Sequence, residues 1–482
     1  MTTIERHRTA MARAGLSRPM RLALEDGVIV PGVSIFDYGC GRGGDLERLA
    51  ALGYDCSGWD PVFRPEGERR PADVVNLGYV LNVIERATER AETLRAAWAL
   101  TRQVLVVAAR LEHEAREVHG LQYEDGILTH RGTFQRFFSQ EELRSFIDAT
   151  LGVHSVAAAP GVFYVFRDET RAQAWLASRF RRVGSVPAEP RPLRHVDEAG
   201  RALLEPIVTF LETRGRPPEE HEIANLDVVR ERFRSPTVAL RLASRLADEG
   251  ACQAARQRAS EDLSIYLALA AFGGRPRFSQ LPLETQADIK ALFGTYRAAC
   301  TAADELLFRA GDRAAIDAAC RQAPFGKLTP EALYVHVSAI TRLPPLLRVY
   351  EGCARVLTGT VEGATVVKLN RLEPKVSYLV YPSFDDEAHP ALAMSVRADL
   401  RRLDVRIRDF RSSKNPPILH RKELFVPEDY PGRAEFARLS AAEDEAGLFQ
   451  ASALIGTRDG WQQALAVRGL QVVGHRLVST QA

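Results

Sequence analysis

Cysteine is scarce in this chain, with six residues in 482, and none stands in a Cys-x-x-Cys pair. The eleven histidines form no His-x-x-x-His pattern either, so the spacings of a structural zinc site are missing. Charge of one sign is also lacking: Lys and Arg total 64 against 62 Asp and Glu, a net of +2. Attraction of the whole chain to a polyanion is thereby excluded, and any basic surface must be local. No run of 18 apolar residues occurs, and the first residues, Met-Thr-Thr-Ile-Glu-Arg-His-Arg, carry no apolar signal region. The expectation is a cytoplasmic chain in a reducing compartment. Core material is plentiful, at 46% hydrophobic residues, and the length suggests two to four domains.

Against those absences, glycine is concentrated where it matters. Val33, Ile35 and Phe36 read as a buried strand that runs into Asp37-Tyr-Gly39-Cys40-Gly41-Arg42-Gly43-Gly44. Leu46, Leu49, Ala50 and Leu52 then recur at helical spacing, with Gly53 placed as a C-cap. A second strand ends at Asp60, which follows Asp37 at roughly the twenty-residue separation expected of a nucleotide-cofactor cradle. In such a cradle the glycines let a ligand approach the backbone, the helix start offers free N–H groups, and the second acid accepts from ribose hydroxyls. The glycines alone leave a dinucleotide open, because Gly39, Gly41 and Gly44 also fill Gly-x-Gly-x-x-Gly.

With its leading acid, Asp37-Tyr-Gly-Cys-Gly-Arg-Gly resembles motif I of the class I S-adenosylmethionine-dependent methyltransferases. The resemblance implies S-adenosylmethionine as cofactor, held by Asp37, Gly39, Cys40, Gly41, Gly43 and the ribose acid Asp60. Between Asp60 and Asp73 no strand pattern occurs, so the family's third strand and its adenine contact are expected to be missing. Asp73 to Asn76 reads as a short strand, and Val80, Leu81, Val83 and Ile84 as the start of a helix continuing to Trp98. The turn between them lies at the carboxyl edge of the sheet, where open α/β sheets bind ligands. Asn76-Leu77-Gly78-Tyr79 can be laid over the Asn-Pro-Pro-Tyr of amine methyltransferases, without its prolines. On that alignment Asn76 and Tyr79 are the catalytic candidates, the amide taking a target amino group and the ring stacking on a flipped base. The alternative makes Asn76 a cofactor residue.

Val104 to Ala109 is a central strand, Glu112 to His130 a charged insertion, and Ser139 with Glu142 a capping box. Val153 to Val156 and Val162 to Phe166, around Pro160-Gly161, form the antiparallel hairpin that closes a methyltransferase sheet. Residues 4–30 are expected to extend over this domain, with His7, Arg8, Arg13 or Arg18 facing a phosphate or the cofactor in the functional variant of that reading. A linker is expected over 183–193, with three prolines. Helical patterns follow to Gly359, Glu331 to Ile340 among them. Strands are expected at Ala364 to Leu369, Val376 to Tyr381 and Val405 to Phe410. The last carries Arg406 and Arg408 on one face. Arg214 and Arg216 read as a helix connection able to meet a phosphate, and Asp385, Asp386, Glu387 and His389 as a solvated turn; no metal is expected. The expected fold class is α/β: a class I methyltransferase (Rossmann-like) sheet with a closing antiparallel hairpin, plus a mainly helical α+β C-terminal region. The expected domains are a cofactor domain over 1–180, a helical domain over 195–359 and an α+β region over 360–482.

Further strings resemble the methyltransferase family associated with DNA phosphorothioation systems. They are Gly58-Trp-Asp-Pro, Asp73 through Glu85, Gly132-Thr-Phe-Gln, Gly326-Lys-Leu-Thr, Arg348-Val-Tyr-Glu-Gly-Cys-Ala, Ser377-Tyr-Leu-Val-Tyr-Pro and Asn415-Pro-Pro-Ile-Leu-His-Arg-Lys-Glu. This resemblance implies a bacterial, cytoplasmic protein with nucleic acid, DNA foremost, and other phosphorothioation-system proteins as partners. The expected activity is methyl transfer to a base nitrogen; the alternatives are a non-catalytic nucleic-acid-binding module and a small-molecule methyltransferase.

Overall fold

The computed structural model describes residues 4–10, 13, 15–182, 197–450 and 455–480, so the linker expected over 183–193 lies outside the described residues. Contacts group the chain into two compact units, one of residues 1–168, 317–342 and 351–482, the other of 169–316 and 343–350.

In the first unit, β1 (Ser34–Tyr38), β2 (Asp55–Trp59), β3 (Ala72–Gly78) and β4 (Thr101–Ala108) are parallel. Val74, Val75, Leu105 and Val106 are fully buried, as both faces of a parallel sheet require. Helices α1 (Arg18–Glu25), α2 (Gly44–Ala51), α3 (Ala87–Leu100) and α4 (Gln140–Leu151) accompany the strands. The charged insertion contributes β5 (Gly120–Tyr123) and β6 (Gly126–Thr129), which pair with β7 (Phe134–Gln135) in a small sheet of their own. The capping box forms as expected: Ser139 Oγ accepts from Glu142 N–H at 3.0 Å. Strands β8 (Val156–Ala159) and β9 (Val162–Phe166) then close the main sheet as an antiparallel hairpin. Its order is β2-β1-β3-β4-β9-β8, with β9 antiparallel to β4. This is the class I methyltransferase arrangement one edge strand short. Beyond Asp60 the chain turns back on itself, Arg64 N–H donating to Asp60 O at 3.1 Å, and among the described residues no third strand flanks β2.

A second, fully antiparallel sheet belongs to the same unit, in the order β10 (Lys327–Leu328), β11 (Ala332–His336), β12 (Val366–Asn370), β13 (Lys375–Val380), β14 (Met394–Asp399), β15 (Asp404–Asp409). The helix expected over Glu331 to Ile340 is therefore corrected. Leu333 and Val335 alternate with half-buried Tyr334 at strand period, and the ladder to β12 satisfies their backbone groups. That ladder also draws residues 317–342 into this unit, while the helix Glu169–Ser178 packs in the other, so the grouping does not follow the boundaries expected at 180, 195 and 359. Thr360 N–H donates to Ala158 O at 2.7 Å and Ile407 packs against the core of the first sheet, which joins the two sheets.

The second unit is helical, with Leu204, Ile207, Val229, Ala239 and Ala243 in one core. Arg216 is buried there between Glu222 (2.6 Å) and Asp288 (2.5 Å), as a connection between helices and not as an exposed phosphate ligand. No described helix is long and apolar enough to cross a membrane.

Candidate functional site

At the carboxyl ends of β1, β2 and β3 lies a cavity of about 530 Å³, within the range of cofactor sites. Its floor is the glycine loop. Gly39 and Cys40 N–H both donate to Trp59 O (2.8 and 3.1 Å), which folds the loop onto the end of β2. Gly39 has φ 83°, and a methyl group there would stand 2.5 Å from Val80 Cγ2. Only glycine satisfies both the left-handed backbone and that approach. Gly43, at φ 84°, is the N-cap of α2.

Asp60 ties the loop to its own turn. Its Oδ2 accepts from Gly41 N–H at 3.0 Å, and its Oδ1 from Val62 and Phe63 N–H at 2.9 Å each. A carboxylate has about four acceptor positions, so capacity remains toward the cavity. Asp37 is buried at the floor, where Asn76 Nδ2–H donates to its Oδ1 at 2.8 Å. Burial, with the Asp45 carboxylate second, pushes the Asp37 carboxyl up to about 7. Asn76 Oδ1 and Ser17 Oγ, on two residues of the cavity wall, are buried with no hydrogen-bond partner among the described residues. Such orphans in a polar cavity mark positions for a ligand's donors. Burial, then Asp37, pushes the Cys40 thiol up to about 12, so Cys40 stays protonated and serves the loop by its backbone.

The expected residues thus meet in one cavity: Asp37, Gly39, Cys40, Gly41, Asp60, Asn76 and Tyr79 all line it, and Gly43 caps its helix. Two placements differ from expectation. Strand β3 runs on to Gly78 instead of ending at Asn76, so Asn76 lies inside the strand, opposite Asp37 in register, and two residues short of the turn. The turn falls at Tyr79, which adopts φ 62° and donates its N–H to Ala108 O at 2.7 Å. Further, the helix expected from Val80 starts at Ala87. Residues Leu81–Val83 form a separate turn whose Asn82 carbonyl is taken by Arg136 N–H at 2.7 Å, removing it from any helical ladder.

The N-terminal segment supplies the wall that the sequence showed only as a possibility. His7 and Arg13 line the cavity, the Arg13 guanidinium 5.5 Å from the Tyr79 ring centroid. Arg8 instead pairs with Glu5, and Arg18 with Glu362 and the Pro160 carbonyl. Arg6 was missed: it clasps both Glu85 and Glu89, 79 and 83 residues away, a distance no local pattern announces. Val62 and Phe63, in the turn after β2, also line the cavity. Asp73 stands at the opposite end of β3, bound to Ser34 and Gln103. No group of carboxylates, histidines and cysteines among the described residues could hold a metal. His389 pairs with Glu443 at 2.7 Å.

No protein-family model matches the chain, and no curated protein does. Among solved structures, the 1,6-didemethyltoxoflavin-N1-methyltransferase of Burkholderia thailandensis, bound to 1,6-didemethyltoxoflavin and S-adenosylhomocysteine, is 18% identical. That match covers 34% of this chain and 79% of its own, with a TM-score of 0.23. The CcbJ methyltransferase of Streptomyces caelestis is 16% identical over 32% of this chain and 86% of its own, also at 0.23. At that score the likeness carries no weight, and the function is read from the cavity itself.

Proposed function

We propose that this chain is an S-adenosylmethionine-dependent methyltransferase acting on nucleic acid, with a DNA base nitrogen as acceptor and phosphorothioation-linked DNA modification or defence as its setting. The observation that carries the cofactor is the convergence of the glycine loop, Asp60 at the tip of β2 and buried Asp37 on one cavity. The carboxylates of Asp37, Asp45 and Asp60 share that cavity with the guanidinium groups of Arg13, Arg42 and Arg48, a mixed lining that suits a ligand carrying both a sulfonium and a carboxylate. The backbone from Gly39 to Gly43 would lie along the ligand, Asp60 would accept from ribose hydroxyls, and Asn76 Oδ1 and Ser17 Oγ would gain partners. When bound, the cofactor supplies an activated methyl on a positively charged sulfur.

What the chain's own residues contribute is alignment and exclusion of water. The Tyr79 ring, half-buried at the cavity wall, supplies a surface for an aromatic acceptor. The nucleic-acid acceptor and its phosphorothioation setting rest on the sequence resemblance.

One observation favours the second reading, a binding module that keeps the cofactor without transferring its methyl. Asn76 is engaged by Asp37 within the sheet and is not held out at the turn where an amine would be grasped. Transfer of tritiated methyl to DNA, phosphorothioated DNA and RNA separates the two. Incorporation by the wild type, at least ten-fold lower in Tyr79→Ala, supports catalysis; none on any substrate despite cofactor binding establishes the module.

A further inference from the structure

The antiparallel sheet β10–β15 carries a cationic row that crosses it from edge to edge. Register places Lys327 opposite Tyr334, Tyr334 opposite Lys368, Lys368 opposite Ser377, Ser377 opposite Arg397, and Arg397 opposite Arg406. All six side chains share one face, because directly opposed residues in a sheet point the same way. Strand spacing of about 4.8 Å makes the row roughly 24 Å long. The other face is core: Leu333, Val335, Val367, Leu369, Val376 and Val396 are buried.

This row is only partly compensated, since Arg406 pairs with Asp404 at 2.9 Å and Lys368 with Glu331 at 4.0 Å. Arg397 and Arg406 are cross-strand neighbours of like charge, an arrangement that costs stability in the free protein. Among the described residues the guanidinium groups of Arg397 and, one step along β15, Arg408 make no ion pair or hydrogen bond. The nearest acid to Lys368 is Glu331 at 4.0 Å, and the Lys327 ammonium lies over the Phe425 ring at 5.2 Å. Burial, then Arg421, lowers the Lys327 pKa, with Glu423 opposing them only in part. The carboxylates nearby are engaged: Glu373 with Lys375, Asp404 with Arg406, and Asp399 with Arg401 and Arg402 N–H. Residues Val366 and Leu379, with Phe425 and Phe436, cover the adjoining end of this face and pack against Tyr334; beside them Lys327, Lys368 and Arg397 are half-buried, Arg406 is exposed and Ser377 is buried.

We infer that this face of the second sheet is a docking surface for single-stranded nucleic acid, the row of Lys327, Lys368, Arg397 and Arg406 following its phosphates and the Tyr334 ring meeting a base. Charge complementarity selects a polyanion. The partly exposed Tyr334 ring among the cations, with the Lys368 ammonium over it, favours unstacked bases over an acidic peptide, and a sheet face that offers a ring beside cations suits a single strand. The inference rests on the nucleic-acid part of the proposed function and is independent of the cofactor cavity.

Fluorescence anisotropy of the full chain with a fluorescein-labelled twenty-nucleotide single-stranded DNA, measured at several salt concentrations, tests it. In Lys368→Ala/Arg397→Ala the affinity is expected to fall at least ten-fold, and the slope of log K against log salt to shrink by about 1.4, two phosphate contacts at about 0.7 each. In Tyr334→Leu the affinity is expected to fall with the slope unchanged. Unaltered affinity and slope in the double variant, folded by circular dichroism, overturns the site. Equal binding of polyglutamate overturns nucleic acid as the ligand, and tighter binding of the duplex overturns the single strand. S-adenosylmethionine titrated into the same double variant reads the cavity separately, with wild-type affinity expected, so failure of one site is not mistaken for failure of the other.

Discussion

Asn76 donates its amide hydrogen to the buried Asp37 carboxyl at 2.8 Å, from directly opposed positions on β3 and β1. The pair fixes the floor of the cavity and sets its response to pH, because the Asp37 carboxyl is pushed up to about 7, by burial first. A cationic ligand binds best when that group is ionised. S-adenosylmethionine is therefore expected to bind more tightly as pH rises from 6 to 8, and the neutral thioether S-adenosylhomocysteine to respond less. Calorimetry with both ligands at the two pH values checks this, and Asp37→Asn is expected to flatten the difference.

The same shift appears in stability. A carboxyl whose folded pKa lies above its unfolded value holds a proton that the unfolded chain releases, so its contribution is present below about pH 4 and lost as pH rises through about 7. Asp37→Asn removes that loss. Its stability relative to wild type is expected to be higher at pH 8 than at pH 4, by on the order of a few kcal/mol, in urea denaturation.

Gly39 and Val80 are in contact where a side chain has no room. Gly39→Ala is expected to destabilise the loop by about 1–2 kcal/mol through its left-handed backbone, and to weaken cofactor binding. Adding Val80→Ala relieves the contact but not the backbone strain. Partial recovery in the double variant, read as a coupling energy in denaturation, is the expected result.

Arg6 holds the N-terminal segment against Glu85 and Glu89, and its side chain is 32% exposed. A partly solvated pair contributes up to about 1 kcal/mol. Arg6→Ala is accordingly expected to leave the melting temperature nearly unchanged while hastening cofactor dissociation, measured by stopped flow. Arg216 is the opposite case, being buried with two carboxylates. Arg216→Ala strands the buried Glu222, while Asp288 keeps Arg181 and Arg214, and is expected to cost about 3 kcal/mol in the helical unit.

The parts of the site that the sequence disclosed are those whose cause is local. The glycines after β1, the acid ending β2 and the Pro160-Gly161 turn each act on their own neighbours, and the cradle and hairpin follow. The sequence ends the strand at Asn76, because Leu77-Gly78 resembles a turn, whereas β3 continues to Gly78. The place of Asn76 inside β3 comes from pairing with β1 on one side and β4 on the other, which a single strand cannot reveal. Strand β11 reads as helix for the same reason: its short alternation is settled only by pairing with β12, far along the chain. The Arg6 clasp depends on partners far along the chain.

Titration of S-adenosylmethionine into the wild type, Asp60→Ala and Gly41→Leu, each folded by circular dichroism, tests the cofactor cavity most directly. Saturable binding to one site in the wild type, weakened at least ten-fold in both variants, is the expected result. Absence of binding to the wild type, or equal affinity in all three proteins, contradicts it.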